Sequence, residues 1–252
     1  MNFYIIEKKM TPNVWEENKI DSYCKDDKLP MSHPLHPQYS IDHGPFCPLC
    51  HKSIGNTYSL PPLRREIHLA KPYFGDLINS SLFVYFSERA KKLYEESDLK
   101  GVEEFRKIEI LRVVTHNGVR KAKLPPCPTY YLADITVDGA IMDYKRSKAV
   151  LCPPIGPLCE YCTRPLSGEG RDVDKYTGLY IDESRWNKNN IFYLLGIGGT
   201  NVVDQKFKDW FEDNHLVNAS SFVPEAESTF NAGLYKSYVK EYKQEGIRYD
   251  LD

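Results

Sequence analysis

Two Cys-x-x-Cys pairs, Cys47-Pro48-Leu49-Cys50 and Cys159-Glu160-Tyr161-Cys162, stand 112 residues apart, and each is followed downstream by a matching amphipathic stretch. Two such turns, brought together, supply four thiolates for one tetrahedral Zn²⁺ with metal–sulfur distances near ~2.3 Å. A fold that satisfies them must carry segments from both halves of the chain to a single point. Four thiolates also close the coordination sphere, so a site of this kind adds folding energy and leaves no open position for chemistry.

The matching stretches repeat position by position. Phe86, Ala90, Leu93, Tyr94, Leu99, Val102 and Phe105 recur 117 residues later as Val203, Phe207, Trp210, Phe211, Leu216, Ala219 and Phe222. In each copy the first four fall at i, i+4, i+7 and i+8, the apolar stripe of a helix whose other side carries charge. Ser87 and Asp204 stand where N-caps belong, and Asp98 and Asn214 lie near the helix ends. A short extended segment follows each helix. The pattern predicts an internally duplicated α+β chain of two β-rich halves, 1–145 and 146–252, each with one main helix, joined at the Cys pairs as one unit.

With 41% apolar and 27% charged residues over 252 positions, the chain has the composition of a globular protein able to bury a core without disulfides. A net charge of -2 gives no bulk electrostatic attraction to nucleic acid or an anionic membrane. The apolar run at Met1 to Ile6 is halted by Glu7-Lys8-Lys9, too short for the core of a signal peptide, and reads as a first strand. The run from Ile191 to Ile197 is far below the ~20 residues that span a bilayer. Residence in the cytoplasm is the expectation, and there the seven Cys are reduced thiols or metal ligands.

Residues 24–63 are polar and rich in Pro and His and read as a long loop holding the first Cys pair. Residues 108–114 and 119–124 read as strands around the turn Thr115-His116-Asn117-Gly118, and Tyr130 to Met142 as a hairpin around Asp138-Gly139. Prolines exclude helix between Leu151 and Cys162. Leu234, Tyr235, Tyr238, Val239 and Tyr242 follow helical spacing and predict a third, docking helix.

Cys47, Cys50, Cys159 and Cys162 are thus the candidate ligands of one structural Zn²⁺. His51, Cys127 and Cys152 are reserve ligands. Two separate sites, one of them built on Cys47, Cys50 and His51, are the alternative arrangement, as are buried thiols without metal. Cys24 has no partner in the sequence and reads as a free thiol.

The order of elements carries a resemblance. An early Cys-Pro-x-Cys, the Leu60-Pro61-Pro62-Leu63 element and a helix are followed by the late Cys pair, Ile181-Asp182-Glu183-Ser184, an apolar strand, a second helix and Phe222-Val223-Pro224. Over residues 40–228 this resembles the double-CXXCG motif family, whose motif positions are matched by Cys47, Cys50, Cys159 and Cys162. The Gly that follows each pair in that family is replaced by His51 and Thr163. The resemblance implies a zinc-ribbon-containing bacterial protein associated with immunity against polymorphic toxins delivered between neighbouring cells. Such a protein acts by stoichiometric binding to a cognate toxin, and it is not an enzyme.

Other constellations point less sharply. Gly196-Ile197-Gly198-Gly199 resembles a phosphate-cradling turn, but the third glycine of a dinucleotide fingerprint falls at Asn201, so a tight strand-to-helix turn is the simpler reading. His33, His36, His43 and His51 are irregularly spaced in a loop. A Cys nucleophile paired with His68, His116 or His215 has no local signature. Two alternatives to the immunity reading follow: a nucleic-acid-binding zinc-ribbon protein, which needs a basic stripe, and a metal- or Cys-dependent enzyme, which needs an open metal position in a pocket.

Overall fold

A computed structural model describes residues 2–9, 17–22, 41–42, 44–55, 58–59, 63–80, 83–116, 119, 123–152, 157–166 and 173–231. Among these residues the chain is strand-rich α+β, with two α-helices, α1 (Glu88–Glu95) and α2 (Gln205–Asp213). The strands follow the β-branched and aromatic runs that favour a pleated, half-buried surface. The expected first strand is Phe3–Lys8, and the extended segments after the helices are Val102–Lys107 and Ser220–Pro224.

The largest sheet runs, edge to edge, Ile181–Asp182, Val137–Met142, Ile191–Leu195, Asn201–Asp204, Phe3–Lys8 and Ser220–Pro224. A second runs Leu77–Ser80, Phe83–Ser87, Tyr130–Ile135 and Val102–Lys107. Two three-stranded sheets flank them: Asn18–Ser22, Arg64–Leu69 and Glu109–Thr115 form one, and Val150–Leu151, Val173–Thr177 and Thr229–Asn231 the other. Ile41–Asp42 pairs with Tyr58–Ser59.

In each of the two larger sheets one strand is inserted between the two that flank a helix. Phe3–Lys8 lies between the two strands that flank α2, and Tyr130–Ile135 between the two that flank α1. The registers coincide. Tyr4 faces Val203 and Pro224, while Tyr131 faces Phe86 and Lys107, so both neighbours of Tyr4 sit 117 positions beyond those of Tyr131.

The helices begin where the caps predict. Ser87 Oγ accepts the N–H of Ala90 at 3.2 Å, and Asp204 Oδ1 accepts that of Phe207 at 2.9 Å. Each bond satisfies an otherwise orphaned amide and is worth about 1 kcal/mol. Glu96 is the C-cap of α1, so that helix stops before Asp98, whereas Asn214 is the C-cap of α2. The helices reach across to each other's ends. Arg89 Nη2 donates to Asn214 O at 2.8 Å, and Lys206 Nζ to Asp98 Oδ2 at 2.7 Å. Cations are favoured there by the negative end of a helix dipole.

The two apolar stripes meet in one core. Phe86, Ala90, Tyr94 and Leu99 share a cluster with Val203, Phe207, Phe211 and Leu216, and Leu93, Val102, Phe105, Trp210 and Phe222 pack against it. Only Ala219 of the fourteen repeat positions joins a neighbouring cluster. Tyr94 meets Trp210 edge to face at 5.9 Å, an arrangement that aromatic quadrupoles prefer.

Two expectations change. Tyr130–Ile135 and Val137–Met142 do not form a hairpin, because they diverge at Thr136 into different sheets. Asp138-Gly139 therefore lies within a strand. There Gly139 permits close backbone approach, since a Cβ on it would lie 2.2 Å from Arg185 O. Asp138 is buried and accepts from the amides of Ala140 and Asn187 and from Asn189 Nδ2. Glu109–Thr115 is a strand, but Lys123 and Leu124 belong to none, and 120–122 lie outside the described residues, as do Leu234 to Tyr242. No described helix is long and apolar enough to cross a membrane.

Candidate metal centre

Each Cys pair closes a turn of the same construction. Cys47 N donates to Lys52 O at 2.8 Å and His51 N to Cys47 O at 3.0 Å; Cys159 N donates to Arg164 O at 2.9 Å and Thr163 N to Cys159 O at 2.8 Å. Isolated bridges, Phe46 with Ser53 and Leu158 with Pro165, brace the two bases. His51 and Thr163 adopt φ of 56° and 57°. Both side chains take the left-handed conformation at a cost of about 1–2 kcal/mol each. The hydrogen bonds that close each turn are main-chain, so they do not depend on the side chain there.

The turns also clamp one another. Lys52 Nζ donates to Pro165 O, and Arg164 Nη1 to Ser53 O, a reciprocal exchange. Arg185 Nη1 donates to Tyr161 O at 2.9 Å, with its guanidinium 5.3 Å from the Tyr161 ring centre. Ile54, Ile141 and Leu195 form the apolar floor.

This scaffold brings the four sulfurs together. Cys47 Sγ is 3.6 Å from Cys159 Sγ, Cys50 Sγ is 3.6 Å from Cys162 Sγ, and all four lie within 4.8 Å of one another. A tetrahedron with ~2.3 Å metal–sulfur bonds has sulfur–sulfur edges of about 3.8 Å, so the quartet fits the donor geometry of Zn²⁺. Cys47, Cys159 and Cys162 are buried and Cys50 is half-buried.

Electrostatics favour a cation at the centre. Burial pushes the Cys50 and Cys162 thiols up. Burial acts in the same direction on Cys159, but the backbone N–H groups of Cys162 and Tyr161, with Cys47 and Cys50 beside them, outweigh it and bring that thiol down to about 7. Amides of Lys52 and Arg164 likewise point at Cys50 and Cys162. The turns therefore offer N–H donors to sulfur charge, while lack of solvent holds protons on part of the quartet. A metal cation bound there would replace those protons.

Among the described residues this quartet is the group of three or more His, Cys, Asp and Glu side chains close enough to share a metal. His51 is exposed and outside it, Cys127 is exposed, and Cys152 is buried elsewhere, so none of the reserve ligands joins. The separate-site arrangement on Cys47, Cys50 and His51 is thereby replaced by one shared site. Cys24, His33, His36 and His43 lie outside the described residues.

The glycine-rich segment is corrected as well. Gly196 and Gly199 take φ of 85° and 79° in a turn joining Ile191–Leu195 to Asn201–Asp204, which pair antiparallel. It links strand to strand, and α2 begins only at Gln205, so its amides do not open a helix. His68 contacts His116 and Glu66, an arrangement the sequence reading missed. Its signal was the i, i+2 spacing of Glu66 and His68 in a strand, which puts both on one face.

No known family model and no curated protein matches the chain.

Proposed function

We propose that the chain is a non-catalytic binding protein, stapled by one structural Zn²⁺ on Cys47, Cys50, Cys159 and Cys162, that neutralises a cognate bacterial toxin by stoichiometric binding. The observation that carries the binding role is the distribution of exposed apolar side chains. Seven large hydrophobic residues are exposed among those described, and four of them, Phe46, Leu49, Leu158 and Leu166, belong to the two Cys turns. Apolar groups gathered on a rigid, metal-held knob are characteristic of a protein-binding surface. The zinc would contribute rigidity, since its four thiolates leave no position for substrate. The toxin as partner rests on the resemblance in the order of elements.

The scaffold is, on this proposal, an internal duplication in which the two halves, divided ahead of Tyr130 rather than at 145, have exchanged their first strands. Support comes from equivalences beyond the sheet registers. Asp76 Oδ2 accepts from Val217 N at 2.8 Å, and Asn190 Oδ1 accepts from Lys100 N at 2.9 Å; Lys100 and Val217 stand 117 positions apart. Lys91 lies 5.1 Å from the ring centre of Tyr131, and Lys208 lies 5.5 Å from that of Tyr4.

The test is competition between kin. A strain lacking this chain, grown in contact with its parent, is expected to be eliminated, and to be rescued by the wild-type chain but not by a folded Phe46→Asp/Leu158→Asp variant. Equal survival of the strain lacking the chain would reject the immunity role. Rescue by the variant would remove the Cys-turn surface from it.

A further inference from the structure

The strand Arg64–Leu69 is central in its three-stranded sheet, and its alternation buries Arg65, Ile67 and Leu69 while Glu66 and His68 face outward. His116 follows the parallel neighbour Glu109–Thr115, and its own N–H donates to Leu69 O at 2.9 Å. That bond fixes the second imidazole beside the first. The rings lie nearly parallel, 15° apart with centres at 5.4 Å, and His68 Nδ1 faces His116 Nε2 at 3.1 Å.

The other side of His68 is anchored. Its Nε2 lies 2.7 Å from Glu66 Oε1, and Glu66 Oε2 accepts from Arg112 Nε at 2.8 Å. A carboxylate there selects the tautomer with the proton on Nε2, which leaves the Nδ1 lone pair directed at His116. Only one proton fits between the two facing nitrogens. Lys19, the register partner of His68, is paired with Asp21 at 2.7 Å, so Lys19, Asp21, Glu66 and Arg112 together contribute no net charge.

We propose that His68 and His116 form a second, open metal site that takes one late first-row divalent cation in place of the shared proton. Two metal–nitrogen bonds of ~2.0–2.1 Å bridge a 3.1 Å separation at an angle of about 100°, within the range of tetrahedral and octahedral coordination. Glu66 behind His68 supplies the carboxylate partner that ligating imidazoles require. Imidazole ligands favour Ni²⁺, Cu²⁺ and Zn²⁺ over hard, oxygen-seeking Mg²⁺. Both rings are part of the outer face, so water completes the shell and the ion exchanges readily. The site is independent of the Cys quartet.

Equilibrium dialysis of the full chain, its Cys quartet already loaded with zinc, against Ni²⁺ tests this. One additional Ni²⁺ per chain is expected at pH 7.5, with zinc content unchanged, with Mg²⁺ not competing, and with affinity more than tenfold weaker at pH 5.5 because protons compete with the metal for the imidazole nitrogens. His116→Ala and His68→Gln should each abolish that equivalent, and Glu66→Gln should weaken it by roughly 10–100-fold. In the wild type, Ni²⁺ should broaden the ring-proton resonances of His68 and His116 before those of any other histidine, a readout that needs no variant to fold. No added equivalent, broadening elsewhere, or undiminished uptake by a folded His116→Ala chain would overturn the assignment.

Discussion

Cys47 Sγ lies 3.6 Å from Cys159 Sγ, and these are the first cysteines of their respective pairs. Second faces second at the same distance, Cys50 to Cys162. Like meeting like is what a two-fold relation between the turns produces, and the reciprocal bonds from Lys52 to Pro165 O and Arg164 to Ser53 O obey it too. The chain is therefore cross-braced where two distant turns meet through side chains of matching identity.

Removing one thiol should cost stability and nothing else. Cys47→Ser or Cys159→Ser leaves three ligands, and either variant is expected to lose most of its zinc and to melt at least ~10 °C lower, since each kcal/mol corresponds to about 2–4 °C in a chain of this size. Elemental analysis with thiol titration before and after denaturation checks it. One zinc and four protected thiols are expected in the wild type, and unchanged melting in both variants would sink the structural role.

Separate expression of 1–124 and 125–252 puts each first strand on the fragment opposite the sheet it completes. Alone, each fragment lacks the strand between those flanking its helix, and its sheet carries two unpaired edges. Co-expressed, the two should purify as a 1:1 complex with one zinc. Soluble, separately folded fragments that ignore each other would contradict the proposed strand exchange.

Much of this was legible because the helical repeat keeps one spacing, 117, from Phe86 to Phe105 and on to its second copy. The Cys pairs are displaced by 112, and the strands of Tyr4 and Tyr131, exchanged on the proposed duplication, by 127. No single spacing aligns all three. Which sheet a strand joins is also invisible in its alternation, so Tyr130–Ile135 and Val137–Met142 read as a hairpin although they part at Thr136. The His68–His116 contact was hidden because parallel pairing links residues 48 positions apart with no local mark.

The caps make a paired prediction. Ser87→Ala and Asp204→Ala each remove an acceptor for a first-turn amide and should cost about 1–2 kcal/mol. Asp204→Asn keeps the acceptor without the charge. Burial raises the Asp204 carboxyl above its ordinary 3.8, although the Phe207 amide and Asn190 Nδ2 oppose the shift. A raised folded pKa means the folded state holds the proton more tightly, so this group's stabilising contribution is present below 3.8 and declines as pH rises through the folded value. Asp204→Asn should thus match or exceed the wild type at neutral pH, and its advantage should shrink as pH falls through the raised folded value and be gone below about pH 3.8, as read from melting curves across that window.

A last prediction separates the seam between the halves from an ordinary loop. Gly101 has φ of 118°, and a Cβ on it would lie 1.7 Å from Ile191 O. The main chain is locked on both sides of that point: Asn190 N donates to Lys100 O at 2.8 Å and Thr136 N to Gly101 O at 2.9 Å. Ala at 101 must break this contact and also adopt a conformation that L side chains avoid, so Gly101→Ala is expected to cost at least ~3 kcal/mol. Gly198, in the glycine-rich turn, has nothing within 4 Å of an added Cβ, and Gly198→Ala should stay within about 0.5 kcal/mol of the wild type. Urea midpoints with unchanged slopes would measure both. Equal, small effects would mean that the halves touch at Gly101 without depending on it, whereas the expected disparity makes the seam a second requirement for folding beside the four cysteines.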